Sequence, residues 1–167
     1  MRSLLLHLLQ LILLLTGVVG FTSCTGDSYI NAIPSDVTAI MTVNTPKSFI
    51  DYKGVDLGSD IYLFEDADGN LGACASLNDG DALAKYFDEQ SGKGICEKVQ
   101  EKRGFRFTLL ANGFLAGFSD NALLLMGPLV ESGKAEMINR MAKLLNQDDE
   151  SSVKNSKIFQ VLDSLGG

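Results

Sequence analysis

Four carboxylates, Asp56, Asp60, Glu65 and Asp66, form the densest acidic group near any loop of this sequence. Glycoside hydrolysis runs on a pair of such groups, one acting as acid and the other as base or nucleophile. Carboxylate-dependent cleavage of glycans is therefore one chemistry the residues permit, although their spacing along the chain leaves their separation in space open. Asp66, Asp68 and Asn70 stand at alternate positions of a turn and offer oxygens to calcium. A complete calcium loop needs a bidentate glutamate at its twelfth position, and Leu77 stands there. An ordinary Asp-Gly turn is the plainer reading. The sole histidine, His7, lies in a segment expected to be removed from the chain. The remainder then cannot build Ser-His-Asp, Cys-His or His-ligated zinc chemistry.

Other patterns match catalytic signatures only in part. Gly127 and Gly133, ahead of Lys134, have the look of a phosphate-binding loop between strand and helix. Five residues separate the glycines where four are required, and Ala135 replaces the metal-binding hydroxyl. Ser151 and Lys154 fit Ser-x-x-Lys, and Ser119-Asp120-Asn121 fits a second penicillin-recognition element. Their order is reversed and the Lys-Thr-Gly element is missing, so coincidence explains them. Cys74 and Cys96 permit one disulfide outside the cytoplasm. Two small buried thiols are the alternative, since Cys74 stands among small residues in Gly72-Ala73-Cys74-Ala75. No constellation calls for a metal or a cofactor.

The first residues carry an address. Arg2 precedes an apolar run from Leu4 to Leu15, interrupted only by His7 and Gln10. Twelve helical residues rise ~18 Å, well short of a ~30 Å hydrocarbon core, which suits a signal peptide better than a permanent span. Phe21-Thr22-Ser23-Cys24 follows, and small residues before a cysteine resemble the lipobox of bacterial prolipoproteins, here with Phe21 and Thr22 in place of the usual Leu and Ala or Ser. The resemblance implies a diacylglycerol on the Cys24 sulfur and cleavage before Cys24, which frees an amine for a further acyl chain. One acyl chain binds a membrane marginally, whereas two or more hold it stably. An ordinary signal peptide with a cysteine nearby is the alternative.

Loss of residues 1–23 leaves 144 of the 167 residues, one domain's worth. It removes one arginine and no carboxylate, so the net charge falls from −7 to −8. An acidic chain is a poor partner for nucleic acid. Residues 24–33 read as a lipidated tether, and 34–167 as a single domain. Strands are expected at 37–44, 60–65, 71–77, 95–100, 104–110, 113–119 and 122–126. Helices are expected at 47–52, 79–90 (capped by Asn78), 131–146 and 156–165, with a polar linker at 147–155. Met137, Ile138, Met141, Leu144 and Leu145 recur at helical spacing, as core filler and not as a cofactor box. This order predicts an α+β fold with a mainly antiparallel sheet and two or three packed helices. The end of the chain just after an amphipathic helix implies a covering partner or further sequence.

Ser28-Tyr29-Ile30-Asn31-Ala32-Ile33-Pro34, Val37-Thr38-Ala39-Ile40 and Val43-Asn44, close behind Cys24, resemble an uncharacterised family of Bacteroidetes-type lipoproteins carrying a domain of unknown function. Gly54-Val55-Asp56-Leu57, Gly94-Ile95-Cys96 and Ser156-Lys157-Ile158-Phe159 are similar to it as well. The resemblance spans nearly all of the chain after Cys24, although members are usually longer. It implies an envelope location and an α+β fold, and it carries no activity across. The expectation is an envelope lipoprotein that binds a protein or polymer partner or serves structurally, with a carboxylate-dependent glycan hydrolase as the alternative. Thr25 directly after Cys24 favours the outer membrane over inner-membrane retention, with the membrane face left open.

Overall fold

The computed structural model describes residues 25–43 and 53–165. The signal segment, Cys24 and the short helix expected at 47–52 lie outside them. The fold is α+β, and the sheet is antiparallel throughout. Seven strands, β1 (Val37–Val43), β2 (Ile61–Asp66), β3 (Leu71–Ser76), β4 (Gln100–Lys102), β5 (Phe105–Leu109), β6 (Leu115–Phe118) and β7 (Ala122–Gly127), take the spatial order β1-β2-β3-β7-β6-β5-β4. Two meanders thus meet where β3 pairs with β7. Among the described residues three α-helices, α1 (Gly80–Ser91), α2 (Lys134–Leu144) and α3 (Lys157–Ser164), join a 3-10 helix at Thr25–Ala32.

Side chains alternate across the sheet, and the register separates two faces. On the first, Tyr62, Cys74, Leu124, Gly117 and Phe107 form one cross-strand row, and Phe64, Gly72, Met126, Leu115 and Leu109 form the next. The two glycines in these rows make room for bulk. A Cβ on Gly72 would fall 2.1 Å from the Phe64 ring, and one on Gly117 would fall 2.4 Å from the Met141 sulfur. Met141 of α2 therefore sits directly on the sheet, joined by Met137, Ile138 and Leu144 from the same helix. Phe159 of α3 and Val153 complete this layer. Each fully buried Leu, Phe or Met contributes roughly 1.5–3 kcal/mol. Among the described helices the second face carries only α1, through Leu83 and Phe87 against Ala116, Phe118 and Leu123, with Cys96 beside them.

Local chemistry starts and stops these elements. Asp79, not Asn78, caps α1 by accepting the Ala82 N–H at 2.9 Å. Ser156 caps α3 through the Phe159 N–H. Arg103 (φ 54°) and Gly104 (φ 80°) make the two-residue turn between β4 and β5, since both central positions of such a turn need positive φ.

Three expectations are corrected. The tether expected over 24–33 ends early, because Tyr29, Ile30, Ala32 and Ile33 are core residues at 5 % exposure or less. The linker expected over 147–155 is instead built into the domain: Ser152 and Val153 are fully buried, Pro34 and Ser152 form a β-bridge, and the Gln147 side-chain amide donates to the Asn31 and Ile33 carbonyls. The strand expected at 95–100 is mostly loop, paired only by the Cys96–Leu110 bridge until Gln100 begins β4.

Candidate functional site

Asp60 and Asp66, two of the carboxylates singled out by the sequence, are held far apart. Asp60 precedes β2 and Asp66 ends it, so six residue steps, ~20 Å of strand, separate them. That exceeds the ~5–9.5 Å over which paired carboxylates act on a glycoside. Glu65, beside Asp66, points to the opposite face and is exposed. Asp56 caps its own loop, accepting from the Gly58 N–H at 2.9 Å and the Ser59 hydroxyl at 2.7 Å. Asp60 contributes its backbone carbonyl, which accepts the Tyr29 hydroxyl at 2.9 Å.

Asp66 is the hub of the β2–β3 turn. Its buried carboxylate accepts the backbone N–H groups of Asp68 and Asn70 and the Asn70 amide. Arg140 of α2 reaches it at 3.1 Å, and also pairs with Asp68 and with Asp36 at 3.3 Å. Partial burial disfavours the guanidinium charge, but the Asp68 hydrogen bond and the charges of Asp66, Asp36 and Asp68 outweigh it and push the Arg140 pKa up. This clamp ties α2 to the turn and to the entry of β1. Spacing in sequence gave no sign of it, because Arg140 lies 72 residues from Asp68.

Cys74 and Cys96 are free thiols in different hydrophobic clusters, on opposite faces of the sheet, so the disulfide considered for them is not formed. Cys74 Sγ donates to the Tyr29 carbonyl and Cys96 Sγ to that of Phe87. Burial raises the Cys74 pKa, which keeps it an unreactive thiol. Ser119 and Asn121 bond each other within a turn, and Lys154 pairs with Asp149 instead of Ser151. Gly127 packs on Phe114 and the Gly113 carbonyl, a structural reason for that glycine.

The feature that sequence reasoning missed is a cavity of about 330 Å³ under the C-terminal half of α1. Tyr86 and Phe87 form its roof, Leu123 and Leu125 its floor, and Ile95 and Leu110 one wall. Gln90 and Asn112 supply side-chain amides, and none of the lining residues is charged. Among the described helices only α1 covers the second face, and the cavity lies beneath it. One cross-strand row there, Met41, Leu63, Ala73, Leu125, Ala116 and Thr108, passes from 56 % exposure at Met41 to fully buried at Ala116 and Thr108. The cavity lies along the border between the covered and uncovered parts. A volume of this size is at the lower limit of small-ligand sites. Its lining offers apolar contact and one or two amide hydrogen bonds, which is binding chemistry.

Beyond Leu110 and Ala111 the surface drops into a hollow of about 680 Å³, flanked by Val130 and by the Lys134–Glu97 ion pair at 2.9 Å. At the other end of the sheet, Tyr29 and Tyr62 lie near Asp60 and Asp27. Burial, followed by the repulsion of Asp60, Asp27 and Asp163, pushes the Tyr62 phenol up to about 12, and Tyr29 is raised by similar causes. No helix among the described residues is long and apolar enough to cross a membrane. No protein-family model matches the chain, and searches of curated proteins and of solved structures returned no match.

Proposed function

We propose that this chain is a lipoprotein of the bacterial cell envelope, held through Cys24 in the outer membrane, and that it works as a binding module whose site is the cavity under α1. The anchor reading rests on the short apolar run and on Phe21-Thr22-Ser23-Cys24. The observation that carries the binding reading is the lining of the cavity, apolar on roof, floor and wall, with two neutral amides. Such a site takes an uncharged apolar group, because a charged one would lose its hydration without gaining a counter-charge.

The test is titration with N-phenyl-1-naphthylamine, a neutral apolar dye that brightens out of water. The protein is expected to bind it saturably, and Ala111→Phe, which fills the cavity from its exposed rim, is expected to abolish the signal. Absence of saturable binding, or binding unchanged in the filled variant, contradicts the reading.

A further inference from the structure

We infer that the lipid on Cys24 seats the domain on the membrane by one defined end, the end bearing Ser28, Asp60 and the Asp120–Asn121 turn, and points the apolar cavity away from the bilayer. The inference rests on the lipoprotein reading above and adds an orientation to it. An orientation follows only if the anchor is short, and few residues separate Cys24 from the first fixed side chain. The 3-10 helix begins at Thr25, the residue after Cys24. At ~2 Å of rise per residue, Thr25 to Ser28 covers only ~6 Å. Even a fully extended chain from Cys24 to Ser28 spans at most ~14 Å.

Ser28 is fixed to the near end of the sheet, where its hydroxyl accepts from the Asn121 amide at 2.8 Å. Tyr29, 3 % exposed, follows immediately and bonds the Asp60 carbonyl. The described chain therefore begins beside the β6–β7 turn, and a lipid on the residue before it holds that end of the domain toward the membrane. The cavity opens toward the other end, where its exposed rim of Ile95, Ala111 and Asn112 lies, although its floor reaches back to Leu123 near the turn. Strand β5 starts near the anchor, with Arg106 opposite Phe118, and finishes at Leu109, just before Leu110 and Asn112 of the cavity. Helix α1 likewise starts beside Ser119 and ends with Gln90 near the cavity wall. Four strand steps from Arg106 to Leu110, roughly 13 Å, separate the anchor end from the rim of the cavity.

The membrane-facing end carries Asp27, Asp60, Asp81 and Asp120, and Arg106 pairs with the last two. Acidic side chains do not attract anionic head groups, so the acyl chains hold this end down and surface charge does not. The occupant of the cavity consequently arrives from the aqueous side, as an apolar group carried by another molecule, and not from the bilayer that holds the protein.

The experiment uses the full lipidated chain in phosphatidylcholine vesicles containing a head-group spin-labelled lipid. A fluorophore is placed on Asp120→Cys or on Ala67→Cys, both exposed, while Cys74 and Cys96 stay buried and unlabelled. Quenching is expected to be several-fold stronger at position 120 than at position 67, and ten Gly/Ser residues inserted after Thr25 should erase the difference. Equal quenching, the reverse order, or a difference that survives the insertion overturns the orientation. The intact mass of the same samples separates the two readings: an unlipidated Cys24 removes the anchor and the orientation together, whereas a lipidated Cys24 with the wrong quenching order removes the orientation alone.

Discussion

The two faces of the sheet are made from similar residues but finished differently. The first is closed by α2, α3, the 3-10 helix at Thr25–Ala32 and Val153, and its Leu124, Leu115 and Met126 are fully buried. Among the described helices the second has only α1, and aliphatic side chains at Met41, Leu63 and Leu71 stand 39–56 % exposed. What differs is the number of described elements laid on each face, so the first face holds the domain together and the second has a cavity beneath its helix. The same asymmetry marks the sheet edges. β4 is short and polar, Gln-Glu-Lys, which discourages pairing with other strands, whereas β1 is seven residues long with no charge.

Leu124→Ala should break the comparison most sharply, costing about 4 kcal/mol in urea unfolding, as a large-to-small change in a closed core does. A loss near that of an exposed site would show that the first face is not the stabilising one. Next comes Arg140→Ala, which leaves the buried Asp66 carboxylate without its cation and should cost about 3 kcal/mol. Stability unchanged by that substitution would remove the clamp from the account.

Tyr62 tests the first face by pH. Burial first, then Asp60, pushes its phenol up to about 12 in the folded protein, against about 10 when unfolded. The folded state thus keeps a proton that the unfolded state releases in that window. Stability from this group is whole below pH 10 and declines as the pH rises toward 12. Tyr62→Phe should shallow that decline, with Tyr29 retaining part of it, and an identical alkaline profile would contradict the assignment. The smallest effect is expected from Leu125→Ala on the cavity floor, under ~1 kcal/mol because the side chain is only half-buried. The change should alter dye binding more than unfolding, and the opposite pattern would make the cavity floor a core position.

Much of the fold was legible because its chemistry is local. Asp66, Gly69 and Asn70 sit within one turn whose hydrogen bonds they make themselves, so the β2–β3 hairpin could be read directly. The helical spacing of Met137, Ile138, Met141 and Leu144 marked the buried stripe of α2. What failed depended on distant partners. Gln147 looks like linker until its amide is found on the Asn31 and Ile33 carbonyls. Residues 95–100 carry a strand's composition, but the Ile95 N–H closes onto Gln90 at the end of α1, and the Glu97 N–H reaches Leu109 within the isolated Cys96–Leu110 bridge. Tyr29, Ile30 and Ile33 lack a periodicity that would mark them as core. The cavity was least legible of all, since its lining comes from three separate stretches that meet only when α1 lies on β7.

The anchor is the claim on which the envelope reading and the orientation both stand, and the intact mass of protein extracted from membranes tests it most directly. The account predicts a chain that begins at Cys24 and carries acyl chains there, and a Cys24→Ser variant that stays unprocessed or leaves the membrane fraction. An unmodified Cys24, or a serine variant with the same processing and the same membrane partitioning, would contradict it.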